Sequence, residues 1–208
     1  MSHLQQSLSA SSVAETLATY DEWAGAYDAD VQSQGYIAPE LASEYVARYL
    51  SSSGASMADA RILDAGCGTG LVGQHLARRG ARHIDGVDLS PRMLDVARRH
   101  AGVYEALTAA DLGQRLDVAS GSYDVLTCVG TLTQGHVGPD ALDELRRVVK
   151  VGGLMVMTVR DSVWRRNGYE DKVKNFIAEG KARLMTDDFE VRRVAKDVDL
   201  VYVTLQVL

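Results

Sequence analysis

The chain has 208 residues, nearly half of them apolar and about a quarter charged, which suits a single globular domain with a core of ordinary size. Its formal net charge is −6 and no block of Lys and Arg stands out, so no nucleic-acid partner is expected, because duplex binding draws on a concentrated basic face. No apolar run approaches the ~18 residues of a membrane span. The start "MSHLQQSLSASSVAETLA" also lacks a basic-then-apolar leader pattern, so a cytoplasmic protein without a membrane partner is expected.

In chain order, residues 1–19 read as a flexible lead, disordered or loosely helical to about Ser12, and 20–208 as one domain. "VAETLATYDEWAGAYDADV" and "APELASEYVARYLSSSG" read as amphipathic helices. Within 20–55 they are expected to form a helical cap over the carboxyl ends of the strands that follow. From Arg61, short apolar runs alternate with helical patterns: "RILDAG", then "LVGQHLARRG"; "HIDGVDLS", then "SPRMLDVARRHAG". Ser90 is a good N-cap, Pro91 sits at the first helical position and Gly102 terminates. "VYEALTAADL" and "GSYDVLTCVGTL" supply a third and a fourth strand, a helix is predicted from Pro139 to about Val149, and "LMVMTVR" is a fifth strand. This rhythm implies βαβ units and a parallel sheet covered on both faces. The end breaks it: "EVRRVAKDVDLVYVTLQVL" reads as two strands around a tight Asp197–Asp199 turn.

The glycine-rich stretch "RILDAGCGTGLVGQHLA" admits two cofactors. From Gly68 it is a G-x-G-x-x-G, through Gly70 and Gly73, as in nicotinamide-dinucleotide sites. From Asp64 it is D-x-G-x-G-x-G. A pyrophosphate over this loop would be repelled by an acid at the strand end, whereas S-adenosylmethionine, with a sulfonium and an ammonium against one carboxylate, is net positive and would be attracted. Asp88, ending the second strand, suits the ribose hydroxyls of either cofactor. Asp111, after the third, suits an adenine amino group. Three acids at three successive strand ends favour the cationic methyl donor, with Asp64 as the deciding residue.

These segments resemble class I S-adenosylmethionine-dependent methyltransferases: "LDAGCGTG" is similar to that superfamily's first motif, and "GVDLS", "AADL" and "YDVLTCVGTL" to the next three in order. "YDEWAGAYDADV", "GTLTQGHV", "TVRDSVW" and "GYEDKV" are together similar to the methyltransferase-like 27 (Williams–Beuren region) group. The resemblance implies a Rossmann-like, doubly wound α/β fold with a seven-stranded sheet, mostly parallel, closed by an antiparallel C-terminal hairpin and preceded by a helical cap. It departs at Val151, where the family often has proline. On the matching positions it assigns to the donor Asp64, Ala65, Gly66, Cys67, Gly68, Gly70 and Leu71 of the first motif. It adds Asp88, Leu89 and Met93 after the second strand, Ala110, Asp111 and Leu112 after the third, and Cys128, Val129 and Gly130 at the fourth. A family tyrosine closes over the donor's methionine end; the candidates are Tyr20, Trp23 and Tyr27, whose spacing of three and four would put them on one helix face, where an ordinary core stripe is the alternative.

Methyl transfer is a direct displacement for which positioning carries most of the rate. His136 is the candidate general base, with a polar loop histidine as the alternative. By position, Tyr36, Leu132, Arg160, Trp164 and Tyr169 are candidates for the acceptor side, Arg160 either pairing with an acceptor carboxylate or with an acid such as Asp161. The Asn/Asp-Pro-Pro-Tyr/Phe pattern of many nucleic-acid amino-methylases is missing, and so is a Pro-Cys nucleophile. These absences and the acidic charge point to a small-molecule acceptor, methylated at oxygen or nitrogen, in a monomer or homodimer. Cys67 and Cys128 lack metal-ligand spacing, so no metal is expected and packing is their favoured role. Two alternatives remain: a protein of this fold that binds S-adenosylmethionine without methylating, and an NAD-dependent oxidoreductase, which Asp64 and the lack of a Tyr-x-x-x-Lys pair oppose.

Overall fold

A computed structural model describes residues 12–133 and 137–208, Val13 by its backbone only. Three helices lead: α1 (Val13–Trp23), α2 (Tyr27–Ser33) and α3 (Ala38–Ser53). Strands and helices then alternate through β1 (Arg61–Ala65), α4 (Leu71–Arg78), β2 (His83–Asp88), α5 (Pro91–Ala97), β3 (Ala106–Ala109), β4 (Tyr123–Leu132), α6 (Ala141–Val148) and β5 (Val149–Arg160). The chain ends with α7 (Asp161–Trp164), α8 (Tyr169–Ala178), β6 (Ala182–Leu184), β7 (Glu190–Ala195) and β8 (Val198–Val207).

Local chemistry sets several of these boundaries. Ser90 caps α5 as expected, its hydroxyl accepting the Met93 amide at 3.1 Å with Pro91 at the first turn. The helix expected to begin at Pro139 begins at Ala141, and Val149 turns extended to open β5. Helix α1 starts at Val13, where the helical pattern begins although residues 1–19 were placed outside the domain, because Ser12 accepts the Glu15 amide and so provides an N-cap. Helices α1 and α2 are also not one helix. The chain turns through Ala24–Ala26, closed by the Ala26 amide donating to the Trp23 carbonyl, and the Trp23 indole then donates to Asp30 on α2 at 2.7 Å.

Eight strands form one sheet in the order β3-β2-β1-β4-β5-β8-β6, with β7 also pairing β8. β1 to β5 are parallel; β8 runs antiparallel to β5 from Leu154↔Gln206 to Arg160↔Leu200. β6 takes the end of β8 at Leu205–Val207 and β7 takes the end at Val198–Tyr202, so the two share one rank and the sheet is seven ranks wide. The expected hairpin is thus β7–β8, turning at Lys196–Asp197, with Asp197 at φ 58°.

Side-chain alternation divides the core. Leu63, Leu126, Met155 and Val203 face one layer with α6 and α8. Ile62, Val125, Val156 and Tyr202 face the other, with α3 and α4. Helix α3 therefore covers a sheet face and is not part of a cap over the strand ends, its buried stripe Ala42, Val46 and Leu50 being directed at the strands. Of the three leading helices, α1 and α2 supply residues to the cavity at those ends.

Candidate functional site

A cavity of about 750 Å³, open to solvent, lies at the carboxyl ends of β1 to β4, where ligands bind in doubly wound sheets. Its floor is the loop after β1. Gly66 has φ +74°, and a Cβ there would lie 2.1 Å from the Thr131 hydroxyl, so only glycine lets the β1 and β4 loops close on each other. The Gly68 amide donates to Asp88 at 2.8 Å, and the Ser90 amide donates to the other oxygen of that carboxylate at 2.9 Å. Asp88 and Asp111 are the charged residues among the described lining, and both are acids. Burial raises the Asp88 carboxyl above the ordinary range, against the pull of the Ser90 and Gly68 amides.

Asp64 is elsewhere. Strand alternation turns it to the α3–α4 face with Ile62, where it is 1% exposed and accepts from the hydroxyls of Tyr104 at 2.8 Å and Thr127 at 2.9 Å. The Gly73 amide, in the first turn of α4, also lowers its carboxyl, while Gly70 at the N-cap has no side chain to cap the helix. Burial pushes its carboxyl up to about 6 despite these donors. The third glycine of the literal G-x-G-x-x-G has the same origin: a Cβ on Gly73 would meet the Tyr104 hydroxyl at 2.3 Å. The preference for a cationic ligand therefore rests on Asp88 and Asp111, and Asp64 is absent from the cavity wall.

Of the expected donor residues, the wall also includes Tyr20, Tyr27, Leu89, Met93, Ala110, Leu112, Val129 and Gly130. Ala65, Cys67, Gly70 and Cys128 are buried in the core or beneath α4, and Leu71 opens onto a surface groove. Cys67 and Cys128 are free, with thiols pushed up by burial, Cys128 to about 12, so both act as packing. Thr16, Leu17, Ser90, Thr131 and Val137 line the cavity without having been expected to touch the donor. Thr16, Leu17 and Tyr20 repeat at helical spacing along α1, so the same helix face that carries Tyr20 brings the other two to the cavity.

A second cavity, of about 590 Å³, adjoins the first; Tyr20, Tyr27 and Gly130 line both. Its walls are Trp23 and Tyr36, with Arg160 from the end of β5 and Val198 and Leu200 from the β7–β8 hairpin. Although the bend separates Trp23 from Tyr27, their rings meet edge-on at 4.7 Å, and the Tyr20 ring lies 6.0 Å from Trp23. Two side-chain hydrogen bonds among the described residues tie the α1–α2 roof to the loops below. The Ser90 hydroxyl donates to Asp21, and the Thr69 hydroxyl donates to Asp28, each at 2.5 Å.

Three acceptor-side candidates fall outside this cavity. Leu132, Trp164 and Tyr169 are buried on the α6–α8 face, with Trp164 edge-on to Phe189. The Tyr169 hydroxyl does donate to the carbonyl of Val137, which lines the first cavity, so it positions a wall from behind. His136 lies outside the described residues.

Residues 62–153 match the family described as a methyltransferase domain. With its sheet order and cavity, the chain carries a methyltransferase domain of the class I S-adenosylmethionine-dependent fold. It is similar to human methyltransferase-like protein 27, at 41% identity over 71% of this chain and 59% of that protein. A ubiquinone biosynthesis O-methyltransferase of Neisseria meningitidis is 34% identical over 47% of this chain and 41% of its own length. The chain thus spans about half the length of these curated relatives. An S-adenosylmethionine-dependent methyltransferase structure from Clostridium acetobutylicum superposes with a TM-score of 0.64, covering 90% of this chain and 98% of the other; at 15% identity it shows the fold alone.

Proposed function

We propose that the domain methylates a small organic acceptor at oxygen or nitrogen, with the methyl donor in the first cavity and the acceptor in the second. The observation that carries this reading is the second cavity itself: roofed by α1 and α2, lined by aromatic rings and joined to the first across Gly130. The Neisseria relative, named for O-methylation in ubiquinone biosynthesis, supports it.

The first cavity fits the donor by its chemistry. Asp88 keeps lone pairs for two ribose hydroxyls while its oxygens hold the Gly68 and Ser90 amides. Asp111 offers an acceptor to the adenine amino group, and the faces of Tyr20 and Tyr27 suit a cation. Burial holds the Tyr27 phenol well above its usual range, so it stays neutral at physiological pH. When bound, the donor supplies a methyl group on a positively charged sulfur, which departs as a neutral thioether. The chain contributes alignment at Gly130 and exclusion of water by the roof, which suffice for most of the rate in a displacement of this kind.

The test is incubation of the protein with methyl-labelled S-adenosylmethionine and a cell extract, followed by size separation. Label in the fraction below about 1 kDa is expected; label confined to protein or nucleic acid would overturn the small-molecule assignment. Donor consumption in neither fraction would favour a protein that binds the donor without methylating.

A further inference from the structure

The two cavities carry opposite charge. Asp88 and Asp111 line the first, with no base among the described residues of its wall; Arg160 lines the second, with no acid among the described residues of its wall. The Arg160 side chain has no hydrogen bond or ion pair to any described residue. Its acidic neighbour Asp199 is committed to Arg193 through two contacts, at 2.5 and 2.9 Å. A second polar group, the Tyr36 hydroxyl, is also without a side-chain partner among the described residues. It stands beside Gly130, 2.8 Å from where a Cβ of that residue would be, and within electrostatic reach of Arg160. The remaining wall is aromatic and aliphatic, from Trp23, Tyr20, Val198 and Leu200.

A half-buried guanidinium in an otherwise apolar chamber is placed to exchange its water for an anion, and its planar fork matches a carboxylate. A phosphate dianion would call for more than one cation, and the chamber offers one among its described residues. Resting on the methyltransferase reading above, we propose that the second cavity takes a planar, aromatic carboxylic acid, its carboxylate held by Arg160 and the Tyr36 hydroxyl. Arg160 lines only the second cavity, so the carboxylate is the anchor and a hydroxyl or amino group elsewhere on the acceptor is the methylated atom. A lone pair of that group forms the new bond to the methyl carbon as the carbon–sulfur bond breaks, the bonding pair stays on sulfur, and the acceptor's proton passes to solvent.

The experiment is ligand-observed NMR and calorimetry on the protein saturated with S-adenosylhomocysteine. The probes are 4-hydroxybenzoate, 4-hydroxycinnamate and indole-3-carboxylate, each against its carboxamide. The carboxylates are expected to bind about tenfold to a hundredfold more tightly than the amides, the range of a charge-assisted hydrogen bond. Arg160→Gln should abolish that preference and leave S-adenosylhomocysteine affinity unchanged, which also shows that the variant is folded. Tyr36→Phe should reduce the preference in part. Equal binding of acids and amides, no binding of any acid, a preference that survives in Arg160→Gln, or a methyl ester as the product of turnover would each overturn the proposal. Failure of S-adenosylhomocysteine to bind the wild-type protein would instead overturn the donor assignment, so the two failures are distinguishable.

Discussion

Asp88 and Asp64 end adjacent parallel strands, β2 and β1, yet they act on different surfaces. Asp88 faces the cavity, and losing it removes the acceptor proposed for the ribose hydroxyls: Asp88→Ala is expected to weaken S-adenosylhomocysteine binding about a hundredfold by calorimetry, the scale of one to two charge-assisted hydrogen bonds. Asp64 instead affects stability. Its folded-state carboxyl titrates near 6 against an ordinary 3.8, raised by burial, so the protonated form favours the fold. That contribution is full below the unfolded value and is lost as pH rises through about 6, leaving an ionised carboxylate that disfavours the folded state by roughly 3 kcal/mol at neutral pH. Asp64→Asn should therefore raise the unfolding midpoint at pH 7.5 and remove this part of the gain in stability on acidification from pH 7 to 5. Thermal melts of both proteins across that range would show it; an unchanged slope would mean that Asp64 is not buried against Tyr104 and Thr127. Gly66→Ala joins a steric overlap with Thr131 to a positive φ, and a loss of about 1–3 kcal/mol is expected in urea unfolding.

At the scale of elements, the bend between α1 and α2 makes the roof. It brings Tyr20, Trp23 and Tyr27 together from two helices, and the hydrogen bonds Asp21–Ser90 and Asp28–Thr69 tie that roof to the loops that carry Asp88 and the glycines. Because each tether is a single hydrogen bond to a carboxyl side chain, Asp21→Ala is expected to speed dissociation of S-adenosylhomocysteine about tenfold in stopped-flow measurements while leaving the fold intact. The aromatic spacing was legible in the sequence as a shared face, but the break was not, since Gly25 between two alanines reads as a tolerated residue in a helix. Helix α3 shows the converse. Its stripe was amphipathic, yet only packing decides which surface a stripe meets, and it placed α3 on a sheet face. Trp164 and Tyr169 were assigned to the acceptor by their distance from β5 along the chain; α7 and α8 carry them to the opposite face.

Over the whole molecule, β8 holds the far half of the sheet, pairing with β5 along one edge and with β6 and β7 along the other. Its inward residues belong to both core layers: Val201, Val203 and Leu205 to one, Leu200 and Tyr202 to the other. Removal of residues 198–208 should abolish the cooperative thermal transition seen by circular dichroism, because three strands lose their partner at once. The sequence by itself determined the alternation of strands and helices, the glycine loop, the acids at the ends of β2 and β3 and the antiparallel ending, because these depend on local periodicity, turn chemistry and neighbouring charge. The tertiary structure alone decided that Asp64 faces away from the cavity, that the roof has two parts and that the Arg160 side chain, with no hydrogen-bond partner among the described residues, stands near Tyr36. Those outcomes depend on which face of a strand is covered, and by which distant segment.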